Sequence, residues 1–223
     1  MQYIKDVPNK NFANIDTPVG DLEWVMITGQ GKLNTLNNKY YYQVTLLLDE
    51  KSDECKALVA EIEGYWKDNP PSKKWTGKDA STLGFKTNMV KTGEIDETTE
   101  EPILEPDGRI AFMFKTETAY KDGNAKVIKV ANAKGAEVAL GDRKVGNGSR
   151  GRVKGVITTY EQPKDAGTSL YLNSLQLAKF VPFTGGAGFD EIDTEEDDAF
   201  EGFDGEEAPI ADEKDSASSK PRL

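Results

Sequence analysis

Residues 40 to 66 read YYYQVTLLLDEKSDECKALVAEIEGYW and combine a strand pattern with a helix pattern. The first part alternates at a period of two, which predicts a strand with one buried face: Tyr42, Val44, Leu46 and Leu48. In the second part apolar residues recur every three or four positions, as on one face of a helix: Cys55, Leu58, Val59, Ile62 and Trp66. Ser52 is suited to cap that helix. We therefore predict a helix over residues 52–68 that follows an early strand.

Five further segments have the composition of strands and are separated by turns rich in Gly, Asn and Asp: 22–27, 110–115, 126–130, 150–160 and 168–183. The turn at 121–124 predicts that the two strands beside it form a hairpin. In the last segment the apolar phase slips between Leu172 and Leu175, which predicts a β-bulge near Asn173. About six strands and one helix predict a mostly β (α+β) domain, with a small closed barrel as the fitting architecture.

Two segments are predicted to lie outside the sheet. Residues 1–21 are polar and contain two prolines, so we expect an N-terminal arm. The range 94–107 contains seven acidic residues and no basic one, which is typical of a solvated loop. A hydrolase that uses carboxylates from this loop has little support, because the acids show no paired spacing.

The charge is distributed very unevenly along the chain. The protein has 223 residues with 28 basic and 39 acidic side chains, a net charge of −11. Residues 1–184 hold 25 of each sign, whereas residues 185–223 hold 3 basic and 14 acidic side chains. The sequence therefore predicts a neutral domain over 1–184 followed by a flexible acidic tail over 185–223.

The composition excludes several classes of function. The chain has no histidine and one cysteine, so histidine-based nucleophile systems, histidine-containing zinc sites and intrachain disulfides are excluded. No signal peptide and no run long enough for a membrane helix is found. Residues 146–151 match the dinucleotide pattern G-x-G-x-x-G, but they lead into a strand-like segment rather than a helix. We expect a protein that is not an enzyme and that uses no cofactor and no metal.

The most informative motif is a basic stretch with five cations and no acid: Arg143, Lys144, Arg150, Arg152 and Lys154. If Val153 and Ile157 face the core, the last three of these share the outer face of a strand with Tyr160. Cations bind phosphates and an aromatic ring stacks on an unpaired base, so this face suits a single strand of nucleic acid. The alternative is an ordinary solvated strand face.

The alternation of side chains between the two faces of a strand also predicts where the other candidate contacts point. Tyr41, Met113 and Lys115 are predicted to point outward from their strands, while Phe112 and Phe114 point into the core. Trp75 follows two lysines in a loop, and the sequence allows either base stacking by its ring or burial of the ring.

The acidic tail begins after a glycine-rich hinge and contains spaced aromatic residues. Acids steer a partner and aromatic rings anchor it, so the tail is predicted to dock on other proteins. The alternative is a tail that only improves solubility. The docking residues predicted here are Phe189, Asp197, Asp198, Phe200 and Phe203.

These features together resemble the replicative single-stranded DNA-binding proteins of T-odd bacteriophages. The resemblance covers residues 40–198 and rests on the strand at 42–48 with the helix that follows, the strand containing 112–115, the segment from Gly146 to Tyr160, and the strand 170–183 before Gly185-Gly186. It implies an OB-fold barrel of five or six strands. It also implies a base-stacking role for Tyr160 and phosphate contacts for Arg150, Arg152 and Lys154.

The resemblance implies a non-enzymatic function in DNA replication and recombination in the cytoplasm of the infected bacterial host. Single-stranded DNA would bind the barrel without sequence preference, and the tail would contact the DNA polymerase and the helicase-primase and compete with DNA. A homodimer is left open. Family tails end in acids and an aromatic residue, whereas this chain ends in Ser-Lys-Pro-Arg-Leu, so Phe200 or Phe203 would have to serve as the anchor. The alternative function is a protein-interaction module or DNA mimic whose active element is the tail.

Overall fold

The structure is a computed structural model, and it describes residues 2–3, 12–71, 80, 82–96, 98–141, 143–162 and 165–183, residues 2–3 in backbone only. The chain divides into two units, Met1–Thr184 and Gly185–Leu223, and the second lies outside the described residues. Within the described part of the chain, no helix is both long and apolar enough to cross a membrane. The mostly β fold with one helix is confirmed.

The secondary structure consists of ten strands and one helix in the described ranges. In chain order these are β1 (Gln2–Tyr3), β2 (Phe12–Asp16), β3 (Gly20–Met26), β4 (Lys32–Asn34), β5 (Lys39–Asp49), α1 (Asp53–Asp68), β6 (Phe85–Ile95), β7 (Pro102–Glu117), β8 (Lys129–Ala131), β9 (Ser149–Gln162) and β10 (Asp165–Lys179).

Five of the strands close into a barrel. Strand β3 pairs with β5, β5 with β7, β7 with β10, β10 with β9, and β9 returns to β3. The β7–β10 pairing is parallel and the other four are antiparallel. A closed five-stranded barrel with this order is the Greek-key arrangement of the OB-fold, as the sequence predicted.

The interior of the barrel is filled by side chains from every second residue of its strands. Phe112 and Phe114 are buried from β7, Val44 and Leu46 from β5, and Ile157 from β9. Helix α1 begins with Ser52, whose hydroxyl accepts a hydrogen bond from the Cys55 amide, and it buries its apolar stripe in the same core. The faces assigned from the period of two are therefore the faces that the strands present.

The predicted bulge is present in β10. Leu172 is paired with Gly155 and Ser174 with Lys154, so Asn173 is the extra residue in the ladder. Both halves of the strand consequently bury their leucines, and Leu172 and Leu175 are each at most 1% exposed. The phase slip in the sequence was the sign of this bulge.

The prediction of a solvated loop over 94–107 is wrong. Strands β6 and β7 form an antiparallel ribbon, with Val90 paired to Glu105 and Ile95 to Pro102. Nearly all side chains of β6 are exposed, so this strand has no buried face and leaves no alternating pattern in the sequence.

Two further predictions, the N-terminal arm and the hairpin at 121–124, also differ from the structure. Within the predicted N-terminal arm, β2 pairs with β9 and buries Ala13 and Ile15 in the core. The turn at 121–124 closes a short antiparallel hairpin in which Ala119 is opposite Ala125, but β8 itself pairs in parallel with β10 and not with β7. In both cases the partner strand is distant in sequence, and local patterns contain no information about it.

Candidate nucleic-acid interface

The outer face of β5 and β7 carries three of the predicted contacts. Gln43 is paired with Lys115 and Thr45 with Met113 across the two strands, and Tyr41 lies two residues before Gln43 on the same face. The Lys115 ammonium is 4.2 Å from the centroid of the Tyr41 ring, a cation–π contact. One face of Tyr41 is therefore covered by the cation that it holds in place.

The β9–β10 hairpin contributes two tyrosines to the adjoining surface. The Tyr160 hydroxyl donates a hydrogen bond of 3.0 Å to Asp165 Oδ2. Burial and this carboxylate together raise the pKa of Tyr160 to about 12, and the hydrogen bond orients the phenol. Tyr171 is 41% exposed, and burial, with Glu117 and Tyr41 nearby, raises the pKa of its phenol.

These side chains surround one open cleft of about 490 Å³, which we call the tyrosine cleft. It is lined by Tyr41, Thr82, Gly84, Met113, Lys115, Tyr160, Glu161, Gln162, Asp165, Thr168, Ser169, Leu170 and Tyr171. Four residues predicted from the sequence meet here, although they come from three different strands. The cleft therefore combines rings, a thioether and one lysine with two acidic residues.

The segment from Thr82 to Gly84 joins the two sides of the tyrosine cleft. The Thr168 amide donates to the Thr82 carbonyl at 3.0 Å, and the Met113 amide donates to the Gly84 carbonyl at 2.9 Å. Gly84 has φ +77°, and a Cβ there would lie 2.8 Å from Leu170 Cγ. Only glycine fits this turn between β7 and β10 without strain.

Two buried polar atoms in the walls of the tyrosine cleft have no hydrogen-bond partner in the described part of the chain. They are Asp165 Oδ1 and Thr168 Oγ1, and Thr168 is 2% exposed. Unpaired buried polar groups destabilise the free protein.

The predicted phosphate contacts lie on the same outer face of β9 and β10 but outside the tyrosine cleft. Val156 is paired with Tyr171, and the next pair on this face is Lys154 with Ser174. The pair after that on the same face is Arg152 with Gln176. The interface therefore has an aromatic part and a cationic part that follow each other along the hairpin.

Arg152 and Lys154 line a second opening of about 520 Å³ together with Lys129, Lys134 and Glu137. We call it the basic cleft, since it has four cations and one acid. Arg152 Nε donates to Gln176 Oε1 at 2.7 Å, whereas Lys154 Nζ is 3.3 Å from Asp16 Oδ2. Arg150 lines neither cleft, and its Nε is 3.2 Å from Asp21 Oδ1, an ion pair similar to that of Lys154 with Asp16.

The other predicted contacts are placed apart from the tyrosine cleft or are outside the described residues. Arg143 donates to the carbonyls of Ala139 and Leu140 and lies 5.9 Å from the Phe180 ring centroid, and Lys144 is exposed beside it. Trp75 and the tail residues lie outside the described residues, as do all positions from 184 onward. Their roles stay predictions.

Tyr171 was not assigned from the sequence, although a signal for it exists. It stands between the buried Leu170 and Leu172, so alternation alone places its ring outward, next to the cleft-forming end of β9. As to metals, the described residues contain no group of three Cys, Asp or Glu side chains that could hold an ion.

The strand topology defines an OB-fold barrel, with an open aromatic cleft on its outer face. Known structures share this fold. One is gp2.5, a single-stranded DNA-binding protein encoded by bacteriophage T7, with a TM-score of 0.51, 21% sequence identity, and coverage of 79% of this chain and 91% of that one. Another is the single-stranded DNA-binding protein from bacteriophage Enc34 in complex with single-stranded DNA, with a TM-score of 0.51, 16% identity, and coverage of 81% and 97%.

The resemblance to phage single-stranded DNA-binding proteins is thus confirmed in the fold. No protein-family model matches the sequence. No curated protein matches it either.

Proposed function

We propose that this chain is a single-stranded DNA-binding protein without sequence preference that acts in phage DNA replication and recombination in the cytoplasm of the infected host. The observation that supports this most is the convergence of Tyr160, Tyr171 and Lys115 in one cleft on the barrel. OB-folds bind oligonucleotides on the face of their second and third strands and at the loop between the fourth and fifth. Here those elements are β5, β7 and the β9–β10 turn.

In this proposal the rings and the cations have separate roles. Unstacked bases lie on Tyr160 and Tyr171, and stacking tolerates any base because every base has a π-face. Tyr41 holds Lys115 over its ring, so that the ammonium contacts a phosphate rather than a base. The strand then continues along the hairpin, where Arg152 and Lys154 in the basic cleft contact further phosphates.

The acidic tail gives the second part of the proposal, and its support is the charge of the sequence. Residues 185–223 carry 14 acids and 3 bases, which makes this segment a polyanion like the nucleic acid itself. It would compete with DNA for the cations of the domain and contact basic surfaces of the polymerase and the helicase-primase. Phe200 and Phe203 would anchor those contacts.

The test is an anisotropy titration of the full chain with labelled oligo-dT and with a duplex of equal length, at several salt concentrations. We expect binding that prefers the single strand and weakens as salt rises, since each phosphate contact contributes about −0.7 to the slope of log K against log salt. Equal binding to the duplex, or none to either DNA, would rule the proposal out. Binding to basic proteins without oligo-dT binding would favour the interaction module instead.

Two arginines on the same strand offer a matched comparison of the phosphate contacts. Arg152→Gln should make the salt slope shallower by about 0.7, because Arg152 is bound to a neutral amide and keeps its charge available. Arg150→Gln should change it less, because Arg150 lies outside both clefts and is paired with Asp21. The same loss from both variants would contradict the assignment of Arg152 to DNA.

A further inference from the structure

Trp24 on β3 has a conformation that is rare for a large side chain. It has φ +52°, the left-handed region, and its side chain is 65% exposed. This backbone conformation is unfavourable in free energy for a bulky residue, whereas glycine adopts it readily. Outliers of this kind persist where they serve a site, so the position calls for an explanation.

A β-bulge at Trp24 turns its side chain away from the core. Glu23 is paired with Thr45 and Met26 with Gln43, so Trp24 and Val25 together face the one residue Val44. Leu22 is fully buried, and regular alternation would point Trp24 inward as well. After the bulge the phase is reversed, so that Val25 packs against the core and Trp24 faces solvent.

The bulge is fixed by hydrogen bonds from two side chains. The Trp24 amide donates to Asn147 Oδ1 at 3.3 Å, and Gln43 Nε2 donates to the Trp24 carbonyl at 3.4 Å. Gln43 is the residue paired with Lys115 on the next strand. The exposed Trp24 therefore lies on the outer side of the sheet, and its backbone is two strand spacings, about 10 Å, from that of Lys115.

We propose that Trp24 is a further base-stacking residue, which receives a base of the single strand after it leaves the tyrosine cleft and crosses Gln43. This rests on the proposed function and extends its binding track to the β3 side of the barrel. The strain at Trp24 is explained because a regular strand would bury the indole, whereas the bulge presents it to the DNA. Asn147 follows Lys144 by three residues, so the loop that contacts Trp24 also carries an exposed cation.

The test compares variants of the full chain by anisotropy with oligo-dT of about 4 and about 16 nucleotides, the range of site sizes of one OB-fold. Trp24→Ala should bind the longer DNA about 5- to 150-fold more weakly, the value of one stacked base, and the shorter DNA with a smaller loss. Trp24→Phe should keep most of the affinity, since it retains a ring. Val127→Ala, at an exposed position away from the track, is the matched control.

Two further measurements keep the result clear if the alanine variant folds poorly. Trp24→Gly removes the ring and accepts the positive φ, so it should bind long DNA as weakly as the alanine variant while melting no lower than the wild type. In a Trp75→Phe background, quenching of tryptophan fluorescence by oligo-dT should fall when Trp24→Phe is added, because the remaining Trp66 is buried. Wild-type affinity in both Trp24→Ala and Trp24→Gly, or undiminished quenching when Trp24→Phe is added to that background, would overturn the inference.

The outcomes separate this inference from the function on which it rests. If the wild type binds no oligo-dT of either length, the proposed function fails. If the wild type binds and the Trp24 variants bind equally well, only the role of Trp24 fails, and the exposed indole then belongs to a surface for another partner.

Discussion

The phenol of Tyr160 takes part in two different interactions. Its ring lines the tyrosine cleft, while its hydroxyl donates to Asp165 within the hairpin. The ring is available to a base, whereas the hydrogen bond stabilises the turn that holds the ring. Substitutions can therefore separate binding from stability at this position.

We expect Tyr160→Ala to weaken oligo-dT binding by about 1–3 kcal/mol, because a stacked base loses its platform. Tyr160→Phe should bind nearly as well as the wild type but lower the free energy of unfolding by about 1–3 kcal/mol, because Asp165 loses its donor. Anisotropy and urea denaturation measure the two quantities. Equal loss of affinity in both variants would mean that the hydroxyl, and not the ring, contacts DNA.

At this scale the sequence predicted orientations but not neighbours. A period of two was enough to place Tyr41, Met113 and Lys115 on outer faces. It could not show that Asp21 pairs with Arg150 or that Lys115 lies over Tyr41, since those contacts join distant strands. The sequence also could not predict the left-handed conformation of Trp24, because simple alternation would have pointed that side chain inward.

Strands β9 and β10 bring the two clefts onto one hairpin, and a glycine makes their close contact with the core feasible. A Cβ on Gly155 would collide with the Tyr171 carbonyl oxygen and lie 3.1 Å from two atoms of the Phe114 ring. Gly64 in α1, in contrast, has open space around its Cα. The two glycines have opposite structural roles.

Gly155→Ala should lower the free energy of unfolding by about 1–3 kcal/mol, because the added methyl overpacks the barrel. Gly64→Ala should raise it by about 0.5–1 kcal/mol, because alanine is the better helix former. Urea denaturation of both variants is the measurement. A stabilised Gly155→Ala protein would show that β9 and β10 lie further apart than described.

Elements were predictable where one of their faces is buried. The strand and helix of residues 40–66 have strong periodicity because both pack on the core, and the bulge in β10 could be placed because the leucines on both sides are buried. Strand β6 and the first part of β7 form an exposed ribbon, so these residues leave no such pattern. Burial, rather than secondary structure as such, is what the sequence pattern records.

For the whole molecule, the division of charge is the property that matters most. The domain of residues 1–184 is neutral in total, yet its basic cleft concentrates four cations at one place. The remaining residues carry the entire net charge of −11. In the proposed function this polyanionic segment competes with DNA, and its tether would give it a high effective concentration at the domain.

Deletion of residues 185–223 should therefore tighten oligo-dT binding at low salt, and the gain should shrink as salt rises because screening weakens the competition. Anisotropy titrations of the full chain and the truncated chain at matched salt concentrations test this. A full-length variant with its tail acids changed to amides controls for length. No gain in either variant at low salt would exclude competition by the tail.

Strands β7 and β10, which close the barrel, share only one described residue pair, Leu170 with Phe114. The segment from Thr82 to Gly84 lies between them and is hydrogen-bonded to both. The β9–β10 hairpin is local in sequence, whereas the β7–β10 side requires the ends of a long loop to meet. It should therefore be the last part to form in folding and the first to open. The tyrosine cleft lies across it, so a strand of DNA bound there would fasten both edges and slow the unfolding of the barrel.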